Sequence, residues 1–158
     1  MKSNFFNKII LINFLISILF LVDRLTKWCI FRISTEGIFL FSEKFVGLCL
    51  YKNFNLIFNI ALPEWLMYGL ISIILAVLFG LLFKNYARQN IFLIFSLSLI
   101  LAGAVSNLFD RIIFGYVVDF LSFFNYSIFN LSDVYIVSGV GLVLLSEFLR
   151  KKSELVQN

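Results

Sequence analysis

Four long apolar runs leave this chain few ways to fold. Ile9–Val22, Leu66–Phe83 and Ile91–Val105 contain no charged residue, and Val134–Leu149 carries one, Glu147. In hydrocarbon every backbone N–H and C=O must be satisfied internally, which an α-helix does. A helix needs about 20 mostly apolar residues to cross, so each run with its flanks is long enough. The chain is 61% hydrophobic and 14% charged, where soluble domains are roughly half apolar and a quarter charged. The fold class expected is therefore an all-α membrane protein. Four transmembrane helices are predicted at about 7–28, 64–83, 91–109 and 133–149, within one domain spanning 1–158. The 21 phenylalanines suit lipid-facing positions and carry no functional information.

Two of the connections have a character of their own. Lys2 and Lys8 before the first run resemble the start of a signal peptide. No small-x-small cleavage site follows, and the run passes directly into Asp23-Arg24-Leu25-Thr26-Lys27-Trp28. It reads as an uncleaved first helix, with Asn13 as a helix–helix contact. Residues 29–62 hold two short segments rich in β-formers, Gly37–Phe41 and Val46–Tyr51. In the second, Val46, Leu48 and Leu50 alternate with Gly47, Cys49 and Tyr51, which is strand period. A small extracytoplasmic sheet between helices 1 and 2 is expected. Pro63-Glu64-Trp65 suits a helix start at an interface. The tail Ser153–Asn158 is expected to be unstructured.

Lys2, Lys8, Lys84, Arg88, Arg150, Lys151 and Lys152 lie in loops and tails separated by even numbers of spans, so they share one side. Basic residues mark the cytoplasmic side. Both termini are then cytoplasmic, while residues 24–62 and the stretch 110–132 face outward together. The net charge of +4 does not point to nucleic acid, because the basic residues punctuate apolar spans and form no patch.

Only four aspartates occur, and three of them, Asp110, Asp119 and Asp133, lie within 24 residues of one another. Carboxylates gathered between membrane spans are costly and mark function by default. With no histidine, His–metal sites and Ser–His catalysis are excluded. Cys29 and Cys49 form no C-x-x-C pair and read as apolar fillers, with a disulfide possible outside the cytoplasm. No metal or cofactor is implied. Two aspartates sharing one proton suffice to cut an amide: the ionised one activates water and the protonated one donates to the carbonyl or leaving amine. Asp110 is followed by Arg111, which favours its ionised form and reads as a structural salt bridge. Asp119 sits in the apolar Gly115-Tyr-Val-Val-Asp-Phe-Leu, which can hold a proton. Asp133 opens the fourth helix, where an N-cap role is the plain alternative. The residues alone thus offer Asp119 and Asp133 either as a dyad or as structural groups.

Several segments together resemble one family. Asn107-Leu-Phe-Asp110-Arg111 matches the N-x-x-D-R motif of the bacterial lipoprotein signal peptidases, signal peptidase II. Val117-Val118-Asp119-Phe120 matches their V-x-D-F, and Phe129-Asn130-Leu131-Ser132-Asp133 is similar to their F-N-x-A-D, with Ser132 in place of alanine. Asp23-Arg24-Leu25-Thr26-Lys27 resembles their D-x-x-T-K. The resemblance implies a membrane aspartyl endopeptidase that cuts prolipoproteins before a diacylglyceryl-modified cysteine, acts near the outer face of the bacterial inner membrane, is inhibited by globomycin and works as a monomer. It places the catalytic pair on Asp119 and Asp133. Supporting polar residues fall on Asp23, Lys27, Asn53, Asn107, Asp110, Arg111 and Asn130. Where the family has N-x-G-x-A-F, this chain has Asn53-Phe-Asn-Leu-Ile-Phe58. Asn55 tolerates left-handed backbone almost as glycine does, while Leu56 and Ile57 enlarge the side chains beside the substrate groove.

Two other classes fit the residues less well. Intramembrane aspartyl proteases of the presenilin or prepilin-peptidase kind carry G-x-G-D, which no aspartate here has. A proton-coupled transporter would place carboxylates mid-helix, whereas these lie at helix ends. The basic-residue distribution makes a direct prediction: single cysteines at Lys84 and Lys151 should resist a membrane-impermeant thiol reagent in intact cells. Their labelling from outside would overturn the orientation.

Overall fold

The computed structural model describes residues 2–34, 39–42, 46–55, 62–124 and 127–157. Its elements are α1 (Lys2–Ile33), β1 (Phe39–Ser42), β2 (Val46–Asn53), α2 (Glu64–Ala87), α3 (Ile91–Phe114), β3 (Val117–Phe123), β4 (Ser127–Phe129) and α4 (Leu131–Gln157). All four helices are long and apolar enough to cross a membrane. Each extends beyond its predicted limits. α1 continues through the charged segment because Asp23 and Lys27 pair at i,i+4 with both side chains buried, and the Thr26 hydroxyl donates to the Val22 and Asp23 carbonyls.

The expectation of an unstructured tail is corrected: α4 runs on to Gln157. Arg150 bonds Glu147 at 2.7 Å and Glu154 at 3.0 Å, one turn away on either side, and such pairs support an exposed helix. Local signals set the other ends. Pro63 precedes α2, and its carbonyl accepts from Leu66 and Met67. The Asn90 side chain caps α3 by accepting from the Leu93 N–H, and Gly115 ends it with a φ of 78°, a left-handed turn that glycine takes without strain.

α3 is the axis of the bundle. Of its most apolar stretch 61% is buried, against 6%, 6% and 11% for α1, α2 and α4. It packs against all three, most extensively against α4. That contact depends on two glycines. A Cβ on Gly103 would strike the Ser132 carbonyl oxygen, and one on Gly139 would lie 2.7 Å from the Ser96 oxygen and 2.5 Å from the Ile100 side chain. Small residues let the two backbones approach, as membrane helix pairs require. The Tyr135 hydroxyl, donating to the Leu19 carbonyl, ties α4 to α1. The Tyr86 hydroxyl reaches Asn13 at 3.5 Å, so Asn13 does make an interhelical contact.

The expected sheet between helices 1 and 2 is present, and it extends further along the chain. Among the described residues it has four antiparallel strands in the order β1-β2-β3-β4. The described residues of 29–62 supply β1 and β2; β3 and β4 come from the stretch between α3 and α4. The alternation at Val46–Tyr51 is indeed a strand, and β2 pairs Tyr51 with Asp119 and Asn53 with Val117. The candidate strand at Gly37–Phe41 lies partly outside the described residues. Below the sheet, Ile30, Leu50, Val118 and Phe120 form a small buried core between α1 and the strands.

The close α3–α4 contact yields a test. Gly139→Val should lower thermal stability in detergent by about 1–3 kcal/mol, the cost of overpacking. Gly141→Val, where a Cβ meets nothing within 4 Å, should change it little. Equal effects would show that close approach at Gly139 is not what holds α3 to α4.

Candidate active site

One end of the bundle gathers polar residues from every layer. Asp23 and Lys27 stand one turn apart on α1. Asn107, Asp110 and Arg111 come from the last turns of α3, and Asn53 ends β2. Asp119 lies in β3, and Asn130 and Asp133 start α4. Asp23, Lys27, Asp110, Asp119 and Asn130 are each no more than 1% exposed.

Asparagine amides hold the two aspartates. Asn53 Nδ2 donates to Asp119 Oδ2 at 2.9 Å and Asn130 Nδ2 to Asp119 Oδ1 at 2.6 Å. Asn107 Nδ2 donates to Asp133 Oδ1 at 2.8 Å, and the Asn130 backbone N–H to Asp133 Oδ2 at 3.3 Å. Asn130 therefore touches both carboxylates and sets them on either side of itself. Its own Oδ1 accepts from the Asp133 N–H at 3.0 Å. This reciprocal pair is a capping box, with Asn130 as N-cap and Asp133 at the third helical position. The plain reading of Asp133 as the N-cap is thus shifted by three residues: the cap is Asn130, and Asp133 closes the box.

The orientation of Asn107 is set from behind. Its Oδ1 accepts from Lys27 Nζ at 2.9 Å and from Asn130 Nδ2 at 3.2 Å, which leaves Nδ2 to face Asp133. Lys27 also pairs with Asp23 at 3.1 Å and Asp110 at 2.9 Å. Asp23 accepts from the Ser106 hydroxyl and from the Ser132 N–H at 2.9 Å, so it clasps the start of α4 to α1 and α3. Asp110 accepts from the Val118 N–H at 3.3 Å, one residue before Asp119, and so anchors β3 to α3.

The predicted Asp110–Arg111 salt bridge does not form. One residue apart on a helix, the two side chains point about 100° from each other and cannot meet. Asp110 turns inward to Arg24 and Lys27. Arg111 turns toward the sheet, donating to the Asn55 carbonyl at 3.1 Å and to the Asn107 carbonyl at 3.5 Å, while Tyr68 holds the Arg111 carbonyl. Replacing Asp110 would therefore strand Arg24 and Lys27, not Arg111. Asn55 forms a local turn, its N–H donating to Asn53 Oδ1 at 3.0 Å. Leu56 and Ile57 lie outside the described residues. Cys29 and Cys49 are free thiols, one exposed and one buried.

Burial pushes the Asp119 carboxyl up to about 7; the Asn53 donor opposes this, the charge on Asp133 adds to it, and Asn130 and Lys27 oppose it. A carboxylic acid that keeps a proton near neutrality thus sits beside a second carboxylate fully supplied with donors. Such a pair can activate water with one member and donate a proton with the other.

Two residues here escaped the sequence reading. Arg24 bonds Asp110 Oδ1 and the Ser106 hydroxyl, and Ser106 links that contact to Asp23. Spacing held the clue: Asp23, Arg24 and Lys27 share one side of a helix, as do Ser106 and Asp110 at i,i+4.

The chain is similar to known proteins in both sequence and fold. The peptidase A8 family model, signal peptidase (SPase) II, matches residues 15–149. Lipoprotein signal peptidases of Brucella ovis and Brucella canis are each 35% identical over 118 residues, covering 70% of this chain and 74% of theirs. Among solved structures, a bacterial membrane enzyme determined by the in meso method superposes with a TM-score of 0.75 at 25% identity, covering 92% of this chain and 89% of that one. A second such enzyme gives 0.71 at 26%, covering 87% and 90%.

The Ser132 hydroxyl is buried without a hydrogen-bond partner among the described residues. Ser132→Ala should therefore keep or raise thermal stability, by up to about 1–3 kcal/mol, the cost of an unsatisfied buried group. Turnover should be unchanged. A clear loss of stability in a melting experiment would mean that the hydroxyl has a partner.

Proposed function

This chain belongs to the lipoprotein signal peptidase (signal peptidase II) family, an aspartyl membrane peptidase, and on that premise we propose that Asp119 and Asp133 are its catalytic dyad. The observation that carries the assignment is Asn130, whose side chain donates to Asp119 while its backbone N–H donates to Asp133. Two carboxylates held by one residue at the mouth of a membrane bundle share a site, and close carboxylates share a proton.

In this mechanism Asp119 carries the proton, since burial holds its carboxyl up to about 7. Asp133 is the ionised partner. It takes a proton from water as the oxygen attacks the scissile carbonyl. Asp119 gives its proton to the carbonyl oxygen, forming the gem-diol; Asp133 then passes the proton it took from water to the departing amine, and Asp119 regains one as the product acid forms. Asn53, Asn107 and Asn130 keep the carboxylates in place and limit their reorientation, which is catalysis by positioning. Arg111 lies beside the dyad, with its Nε buried and unpartnered among the described residues.

The substrate is a prolipoprotein whose cysteine carries a diacylglyceryl group. The bond before that cysteine is cut while the acyl chains stay in the bilayer. Supporting this, the dyad lies in β3 and the first turn of α4, where apolar helix gives way to sheet, so a lipid-anchored cysteine can present its neighbouring peptide bond at headgroup depth. The basic-residue distribution puts this end of the bundle at the outer face and both termini in the cytoplasm.

Asp119→Asn and Asp133→Asn should each lower turnover by roughly 10²–10⁴-fold in detergent, the contribution of one proton-transfer group, while melting temperatures stay near the wild-type value. In the wild type, kcat/KM should fall as pH rises through about 7: above that value Asp119 loses the proton it must donate. Omitting the diacylglyceryl group from the same precursor should reduce cleavage sharply. A folded dyad variant with near-normal turnover would refute the assignment, and equal cleavage of both precursors would refute lipid recognition.

A further inference from the structure

The proposed dyad belongs to a larger network of charge. Ion pairs and hydrogen bonds join Asp23, Lys27, Asp110 and Arg24 on one side. Asn107 and Asn130 carry the network on to Asp133 and Asp119. Arg111 faces the same carboxylates from α3. The network holds four carboxylates, Asp23, Asp110, Asp119 and Asp133, against three cations, Arg24, Lys27 and Arg111. It is neutral when one carboxylate carries a proton and at no other count. In a site this dry, net charge is expensive and pairing is required.

Arg24 holds a particular place in that balance. Its guanidinium takes Asp110 Oδ1, bonds the Ser106 hydroxyl at 3.2 Å and carbonyl at 3.3 Å, and lies over the Phe109 ring at 4.6 Å. Asp110 thereby has a cation of its own. Lys27, already shared with Asp23 and Asp110, keeps a hydrogen for Asn107 Oδ1. That bond turns the Asn107 amide so that it donates to Asp133. Without Arg24, two buried carboxylates would compete for Lys27 alone, and the network would carry one surplus negative charge.

We propose that Arg24 is a positioning residue of the dyad: it supplies the charge that makes the buried network neutral with a single proton on the Asp119/Asp133 pair, and it frees Lys27 to orient Asn107. The inference rests on the dyad reading above. The groups around Asp119 come from each element packed against β3. From β2 come Asn53, which donates to it, and the Cys49 thiol; Lys52 of that strand sets its ammonium over the Tyr116 ring at 5.6 Å. From α1 come Asp23 and Lys27, from α3 Asn107, Asp110 and Arg111, and from the start of α4 Asn130 and Asp133. β4 brings no charged residue.

The test uses the full-length protein in detergent and the pH dependence of kcat/KM on a diacylglyceryl-modified precursor peptide. Arg24→Gln should slow turnover and move the alkaline limb to higher pH by roughly one unit, the size of shift a neighbouring uncompensated charge produces. A network left with excess negative charge gives up its proton less readily. Arg24→Lys should return the limb to its wild-type position. The double variant Arg24→Gln/Asp110→Asn, which removes one charge of each sign, should also bring it back, and it keeps the test open if Arg24→Gln alone fails to fold. A limb that stays put in Arg24→Gln, even with a lowered melting temperature, would reduce Arg24 to a structural contact and overturn the proposal. So would a limb still displaced in the charge-balanced double variant. If Asp119→Asn or Asp133→Asn remains active, the dyad reading fails instead, whatever Arg24 does.

Discussion

Carboxylates at the edge of a lipid bilayer must be answered by partners, and that requirement shapes this molecule. Taking an ion out of water costs several kcal/mol unless charge and hydrogen bonds replace the water. Asp23, Asp110 and Asp119 are almost wholly buried, and each is met by groups from a different part of the chain. Asp23 binds a lysine on its own helix, a serine on α3 and a backbone N–H on α4. Asp110 binds two cations of α1 and the first turn of β3. Removing one partner from such a buried pair typically costs 3–5 kcal/mol. The helices are therefore held in register at this end of the bundle by polar contacts, while the apolar remainder of α1, α2 and α4 is left to face lipid.

The same contacts prepare the site. Three asparagine side chains and one backbone N–H give each oxygen of Asp119 and Asp133 one donor. Asparagine suits this task because its amide is polar without charge, so it can hold a carboxylate without fixing the proton count. Its carbonyl can be pinned from behind, as Lys27 pins Asn107. The capping box at the start of α4 folds one carboxylate of the proposed dyad into a helix start that local chemistry would form in any case. Positioning is thus inherited from secondary structure, and the sheet adds Asn53 and the buried setting that raises Asp119.

The close contact of α3 with α4 is the other condition. Gly103 and Gly139 let the backbones approach until side chains no longer separate them. Only then do Asn107 on α3 and Asp133 on α4 come within hydrogen-bond distance. A bulkier contact lower in the bundle would spread the site at its mouth, so packing in the span and geometry at the dyad are linked.

Much of this could be read directly from residue order. The four spans follow from apolar runs that only helices can carry through lipid, and β2 follows from the alternation at Val46–Tyr51. Asp119 and Asp133 stand out because carboxylates are rare in such a chain. The rest needed the tertiary structure. β3 and β4 were hidden because Val117–Phe123 and Ser127–Phe129 show no regular alternation of polar and apolar residues; the pairing of β3 with β2, and of β4 with β3, decides their conformation. Asp110 appeared to belong to its neighbour Arg111, but helix geometry sends the two side chains apart, and Arg24, 86 residues earlier, takes its place. Residue order determines which groups a membrane cannot leave alone. Only the fold decides which distant group answers each of them, because a partner across the bundle is a matter of distance in space and leaves no periodic trace in the chain.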